Sequence, residues 1–274
     1  MADLSWRWPP LLNVQTLRTV QMAPGLAALL WDVDGTLAET ELDGHRCAFN
    51  RAFADAGLPW QWDVALYQQL VRISGGRERI AAFLTQVEGI APDFQRVEQL
   101  QAAKQRHYSA LVEQGALRLR PGVERLIRSA AEAGLAQAIV TTSGRLAVQA
   151  LLQQLFPDHA ACFQLWVCGE DVTRKKPDPA AYALALTQLD LPAARVIALE
   201  DSGNGVAAAT AAGLTTVVTR SGASATEAPQ AFAAAAVELD HLGEPADRLT
   251  VHRGPACPQG WITLSYLQQL LPAS

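Results

Sequence analysis

Residues 29–37 read Leu-Leu-Trp-Asp-Val-Asp-Gly-Thr-Leu, a short apolar run that stops in two carboxylates, Asp32 and Asp34, followed at once by Gly35 and Thr36. Like charges at the end of a buried strand repel each other. Each also costs free energy when it is desolvated without a partner. The pair makes chemical sense where a divalent cation offsets the charge, one carboxylate attacks and the other handles a proton. These residues point to a magnesium-dependent enzyme with a nucleophilic aspartate.

Outward from this stretch, the run at 26–33 is followed by similar apolar runs at 136–141, 165–168, 196–200 and 215–219. Helix-like segments at 122–133, 145–155, 179–189 and 203–212 lie between them. Strands alternating with helices predict an α/β fold with a parallel sheet covered on both faces. Ligands of such sheets bind beyond the carboxyl ends of the strands, so polar residues at those ends should converge on one site. The stretch 42–115 differs. Ala48, Phe49, Ala52 and Phe53 recur at helical spacing, as do Leu66, Leu70 and Ile73, and then Ile80, Phe83, Leu84 and Val87. A longer helix is expected over 94–112. Four helices inserted between the first two strands predict a cap domain over 42–115, with hinges near 39–43 and 115–121. The core then comprises 26–41 and 116–274.

The 274 residues are 50% hydrophobic and 18% charged, which suits a folded globular protein and not a disordered one. A net charge of −5 and the lack of a Lys/Arg block leave no electrostatic footprint for nucleic acid or an anionic membrane. The apolar runs are too short to cross a bilayer. Cys47, Cys162, Cys168 and Cys257 form no C-x-x-C pair, so free thiols in a reducing cytoplasm are expected. Residues 1–25 read as a peripheral extension without the marks of a signal or transit peptide, and Met22 offers an alternative start.

Four motifs in order make the chain resemble the haloacid dehalogenase superfamily of phosphohydrolases. They are Asp32-Val33-Asp34-Gly35-Thr36, Thr141 at the end of the second strand, Lys176 in Lys-Lys-Pro-Asp-Pro, and Glu200-Asp201 before Ser-Gly-Asn-Gly. The resemblance implies a Rossmann-like parallel-sheet core with an inserted all-helical cap. It implies that Asp32 forms an aspartyl-phosphate and that Asp34 protonates the leaving oxygen, then activates water. Mg2+ would be held by the Asp32 carboxylate, the Asp34 main-chain carbonyl and Asp201, with Glu200 a ligand directly or through water. Thr141 and Lys176 would contact the phosphoryl oxygens, with Thr142 and Ser143 beside them at the substrate. Trp31 stands where the superfamily usually has Phe, and keeps an aromatic there. Lys175 reads as solvated surface.

A finer resemblance, to the CbbY-like branch, runs from Leu26 onward. It rests on residues 36–41 (Thr-Leu-Ala-Glu-Thr-Glu), 43–46 (Asp-Gly-His-Arg), 49–53 (Phe-Asn-Arg-Ala-Phe), 62–64 (Trp-Asp-Val), 75–80 (Gly-Gly-Arg-Glu-Arg-Ile) and 242–245 (Leu-Gly-Glu-Pro). Characterised members of that branch hydrolyse xylulose-1,5-bisphosphate, an inhibitory by-product of Rubisco. The resemblance therefore implies a sugar-bisphosphate phosphatase. Arg77 and Arg79 beside two glycines would hold the second phosphate, or else pair with Glu78 or Glu88 on a helix face. Glu39 would bind sugar hydroxyls, and His45 could face the substrate. The expected partner is a small sugar-phosphate substrate, bound by a monomeric enzyme in the cytoplasm, or in the chloroplast stroma of a photosynthetic eukaryote. The alternatives are a β-phosphoglucomutase-like mutase, a broad sugar-phosphate phosphatase, and a non-catalytic binding module on the same fold. The module reading expects a lost Asp32, Asp34, Lys176 or Asp201, and all four are present.

Overall fold

The structure is a computed structural model, and it describes residues 25–157 and 162–272. The expected extension, apart from Gly25, and the alternative start at Met22 lie outside the described residues. A seven-stranded sheet organises the rest, in the order β3-β2-β1-β4-β5-β6-β7. The strands are β1 Ala28–Trp31, β2 Ala136–Val140, β3 Leu165–Val167, β4 Val196–Glu200, β5 Thr215–Thr219, β6 Val237–Leu239 and β7 Val251–Arg253. All neighbours pair in parallel except β6 and β7. That antiparallel edge, and a last helix Leu264–Leu270, were not expected from the sequence. β6 (Val-Glu-Leu) and β7 (Val-His-Arg) are broken by polar residues, so neither shows the apolar run that marks the equally short β3 (Leu-Trp-Val).

Chain direction is clearest in β1, where every residue is buried. Side chains alternate across a strand, so Leu29 and Trp31 enter one apolar cluster while Ala28 and Leu30 enter the other. The first cluster is covered by α5 (Val123–Glu132) and α6 (Arg145–Leu155), and the second by α7 (Ala180–Leu189) and α8 (Gly203–Ala211). Parallel strands buried on both faces read as continuous apolar runs for this reason. Trp31 places an indole N–H in this interior. The N–H donates to Gln137 Oε1 at 3.1 Å, and Gln137 Nε2 donates to the Ile127 carbonyl at 3.1 Å.

Between β1 and β2 the chain forms α1 (Arg46–Asp55), α2 (Val64–Leu70), α3 (Gly76–Glu88) and α4 (Phe94–Glu113). α2 stops at Leu70, so Ile73 lies in the turn beyond it, and Val87 is exposed. Asp63 and Asp93 cap α2 and α4, accepting main-chain N–H bonds from Leu66 at 2.7 Å and Gln95 at 3.1 Å. These helices share their own apolar cluster, centred on Phe49, Phe53, Trp62 and Phe83. Trp62 lies 4.7–5.2 Å from the other three rings. A π-helical turn, Glu41–His45, leads into α1.

The insert rests on the core through side-chain bonds. Asn204 Nδ2 donates to the Arg72 carbonyl at 2.7 Å, Gln68 donates to the Gly222 carbonyl at 2.8 Å, and Lys175 Nζ lies 2.6 Å from Glu78. Lys175, expected on the solvated surface, therefore joins core to insert, because the chain folds α3 back over the β3–α7 loop. Among the described residues, no helix is long and apolar enough to cross a membrane.

Gln137→Leu should destabilise the fold by about 1–3 kcal/mol, because it strands the Trp31 N–H in the interior; the Ile127 carbonyl keeps its helical partner. Urea unfolding followed by tryptophan fluorescence measures this. An unchanged midpoint would show that the Trp31–Gln137 bond contributes nothing.

Candidate active site

β1 lies between β2 and β4, so the chain leaves it toward opposite sides of the sheet and opens a crevice at its carboxyl end. Asp32 follows β1, Thr141 follows β2, Glu200 ends β4 and Asp201 follows it. Lys176 arrives from the loop before α7. Its Nζ lies 2.8 Å from Asp32 Oδ1, 2.6 Å from Glu200 Oε1 and 2.8 Å from the Val140 carbonyl. Tyr182 also donates to Glu200 Oε1, at 2.5 Å. All these groups are buried.

Electrostatically the cluster is short of positive charge. Asp32, Glu200 and Asp201 bring ligand oxygens within 4.8 Å of one another, with Lys176 as the cation bonded among them. Burial, together with the neighbouring carboxylates Glu200 and Asp34, outweighs Lys176 and raises the Asp32 carboxyl above the usual range. Asp201 is raised by burial and by Asp32, against its bond from Ser221 at 2.6 Å. Glu200 Oε2 is buried with no hydrogen-bond partner. Three hard oxygen donors and an orphaned carboxylate oxygen fit a divalent cation such as Mg2+.

Asp34 points elsewhere. Its Oδ1 accepts from Thr40 Oγ1 at 2.5 Å and meets His45 Nε2 at 2.8 Å, while Oδ2 accepts from Ser143 Oγ. Its side chain is thus outside the three-carboxylate cluster, leaving only its main chain to face a cation there. Burial acts to raise the Asp34 carboxyl, but the His45, Ser143 and Thr40 contacts prevail and hold it well below the usual carboxylate range. His45 Nδ1 lies 2.8 Å from Lys104 Nζ, and its ring stacks on Tyr108 at 4.1 Å. An ammonium only donates, so with Lys104 charged Nδ1 accepts and Nε2–H donates to Asp34. Burial pulls the Lys104 ammonium down to about 8.

Two cavities meet over this site. One, about 410 Å3, is lined by Asp32, Asp34, Lys176, Asp201 and Asn204 among others. The second, about 850 Å3, includes His45, Arg77, Lys104, Ser143 and Lys175 in its walls. Glu41, Arg79 and Thr142 line both. Thr141 is buried, and its Oγ1 accepts the Ser143 N–H at 3.1 Å. Arg77 pairs with Glu98 at the rim of the larger cavity. Its expected helix-face partners are taken elsewhere: Glu78 by Lys175 and Glu88 by Arg96.

Two expectations need correction. Arg79 forms a wall of both cavities, but its guanidinium is committed to protein: 2.7 Å to Tyr67 Oη, 3.4 Å to the Val71 carbonyl and 3.6 Å to Glu41. It is buried over the Phe49 and Tyr67 rings, which fixes Tyr67 and Glu41 instead of leaving a fork free for phosphate. Glu39 faces away from both cavities. Its carboxylate lies 2.9 Å from Arg120 Nε, drawn there by a buried cation. The acid at the cavity is Glu41, two positions on. Because the π-helical turn begins there, a count of residues along the flap gave no means of choosing between the two. Lys104 and Arg120 were also missed, since a lysine or arginine in a helix or linker reads as surface.

The haloacid dehalogenase-like hydrolase profile matches residues 26–213. The chain belongs to that family. It is an enzyme of the phosphatase class, and members of the family generally use Mg2+. The plasmid-encoded CbbY protein of Cupriavidus necator is 42% identical over 252 residues, covering 89% of this chain and 96% of that protein. CbbY of Cereibacter sphaeroides is 44% identical over 194 residues, covering 70% of this chain and 84% of that protein. The crystal structure of a Rhodobacter sphaeroides CbbY variant bound to xylulose-1,5-bisphosphate has a TM-score of 0.73 and 40% identity. It covers 79% of this chain and 94% of that one.

Two outcomes follow from the geometry. Gly35 has φ +83°, and a Cβ there would meet the Asp201 carboxylate, so Gly35→Ala should lower both Mg2+ affinity and turnover by about tenfold or more. Isothermal titration and a phosphate-release assay read the two effects. Lys104 titrates near 8 in the folded protein against an ordinary 10.5, so between these values the unfolded chain binds more protons. Its contribution to stability therefore rises with pH across that window. Lys104→Met should flatten the dependence of the thermal midpoint on pH there, and an unaltered slope would contradict the assignment.

Proposed function

We propose that this enzyme removes one phosphate from a sugar bisphosphate, xylulose-1,5-bisphosphate, giving xylulose-5-phosphate and inorganic phosphate and so disposing of a Rubisco inhibitor. The observation that carries the reading is the pair of joined cavities. A reactive phosphate would fit the smaller one at Asp32, and the wall of the larger one offers Arg77 and Lys175, each paired with one glutamate that a second, distant phosphate would displace. The related Rhodobacter sphaeroides protein crystallised with that bisphosphate supports the same choice.

In this reading the helices at 42–115 act as a cap over the core formed by 26–41 and 116–274, and exclude water from the strand ends. With Asp34 protonated before the attack, an Asp32 oxygen attacks phosphorus, the bond to the sugar oxygen breaks, and the Asp34 proton passes to that oxygen, leaving Asp34 as its favoured anion. Water then attacks the aspartyl-phosphate and gives its proton to Asp34, releasing phosphate and restoring Asp32. The three donors around Asp34 favour its anion, the form that accepts the proton from water. Lys176 and Thr141 steady the phosphoryl oxygens, with Thr142 and Ser143 beside them. Asp32, Asp201, Glu200 and the Asp34 main chain are the groups that would hold Mg2+. The ion supplies charge neutralisation to the phosphoryl group when bound. Glu41, fixed by Tyr67 and Arg79, presents a carboxylate to the sugar hydroxyls.

Phosphate release from xylulose-1,5-bisphosphate, compared with ribulose-1,5-bisphosphate, tests the proposal. Strong preference for the first is expected, and EDTA should abolish turnover until Mg2+ is restored. An isomerised product without free phosphate would indicate a mutase and overturn the phosphatase mechanism. Asp32→Asn should lower turnover on the order of 10³-fold or more; substantial retained hydrolysis would exclude the aspartyl-phosphate.

A further inference from the structure

Arg120 closes the return linker from the helices, and its guanidinium is buried beneath the loop that carries Asp34. Nη1 donates to the carbonyl of Gly35, to the Thr219 carbonyl at 2.6 Å and to the Thr219 hydroxyl at 3.0 Å. Nη2 donates to the carbonyls of Arg220 and Asp240, each at 2.6 Å. Nε lies 2.9 Å from Glu39. The main chain reinforces these contacts, since the Arg120 N–H donates to the Leu37 carbonyl at 2.9 Å and Leu119 pairs with Ala38. A single side chain therefore ties together the outgoing linker, the catalytic loop, the end of β5 and the loop after β6.

The loop it holds has little freedom to adjust. The Gly35 N–H donates to the Ala38 carbonyl at 2.9 Å, and the Gly35 Cα faces the Asp201 carboxylate too closely for any side chain. Gly35 directly follows Asp34: its N–H is held by the Ala38 carbonyl and its own carbonyl by Arg120, so both peptides of the turn after Asp34 are fixed. Five N–H donors in a planar fork can satisfy this ring of carbonyls; a lysine ammonium has three donors on a flexible stem.

We propose that Arg120 is a positioning residue for the reaction: by fixing the Gly35 carbonyl it holds Asp34 in line with the leaving oxygen. The proposal rests on the acid/base reading of Asp34 given above. A displacement of about 1 Å in a group that must transfer a proton costs on the order of 10²-fold in rate.

The test compares single-turnover phosphoryl transfer from two substrates in Mg2+. One is a sugar phosphate that the wild type hydrolyses, and the other is p-nitrophenyl phosphate, whose phenolate leaves without a proton. In Arg120→Met, the sugar-phosphate rate per folded enzyme should fall about 30- to 100-fold with KM little changed. The p-nitrophenolate burst should stay within about threefold of wild type, because the acid is not needed there. Arg120→Lys should show the same selective loss to a smaller extent, and it carries the test if Arg120→Met does not fold. Circular dichroism and thermal midpoints fix the folded fraction. Equal loss on both substrates would mark a purely structural role and overturn the proposal, as would an undiminished sugar-phosphate rate in folded Arg120→Lys. Asp34→Asn is the control. If it lacks the leaving-group-selective loss, the acid/base reading of Asp34 fails; if it shows that loss and the Arg120 variants do not, only the role of Arg120 fails.

Discussion

Three carboxylates, Asp32, Glu200 and Asp201, share one buried corner with a lysine bonded to two of them, and much of the molecule exists to hold them there. At about 4 Å and an effective dielectric constant near 20, each like-charge pair repels by roughly 4 kcal/mol. No loop could maintain that crowding unaided. The fold opposes it with strands: β1 and β4 are hydrogen-bonded neighbours in the centre of the sheet, and both present their acids at the same end. Tyr182 and Ser221 then orient individual oxygens, while Glu200 Oε2 keeps no protein partner. A corner built at such cost in repulsion is organised for positive charge, whether from Lys176, a metal ion or a phosphoryl group neutralised by both.

The second constraint concerns Asp34, only two residues from Asp32 yet in a different electrostatic setting. Asp32 is raised by burial and its acidic neighbours, whereas Asp34 is lowered despite burial by Thr40, His45 and Ser143. One carboxylate is thus crowded by acids, where a cation would restore its anion, while the other is already ringed by donors. The donors come from three places: the flap, the turn leading into α1, and the β2–α6 loop. His45 in turn rests on Lys104 of α4, so the helices between β1 and β2 reach Asp34 as well as the cavity above it.

Legibility in the sequence varied with the range of the interaction. Strands β1 to β5 were readable because buried β-strands give apolar runs. Asp32, Asp34, Thr141, Lys176, Glu200 and Asp201 were readable because they stand at strand ends or in ordered motifs. The strands β6 and β7, at one side of the sheet, carry polar residues that break any apolar run. Glu39 and Glu41 could not be told apart, because what distinguishes them is the distance to Arg120 and Tyr67, residues 81 and 26 positions away in the chain. Lys175 and Arg79 were misjudged for the same reason. Their partners lie on the other side of the core–insert boundary or across a helix pair.

The sequence by itself determined five strands of the sheet, the placement of four helices between the first two of them and which acids stand at the strand ends, because these follow from hydrophobic periodicity and from residue types at strand termini. Only the tertiary structure decided which side chains border the cavity, which are clamped against other protein groups, and how the two linkers are tied at Arg120. Those outcomes depend on buried charges finding partners distant in the chain. A buried cation must be satisfied by whatever acceptors the fold brings within reach, and no local pattern records which they will be.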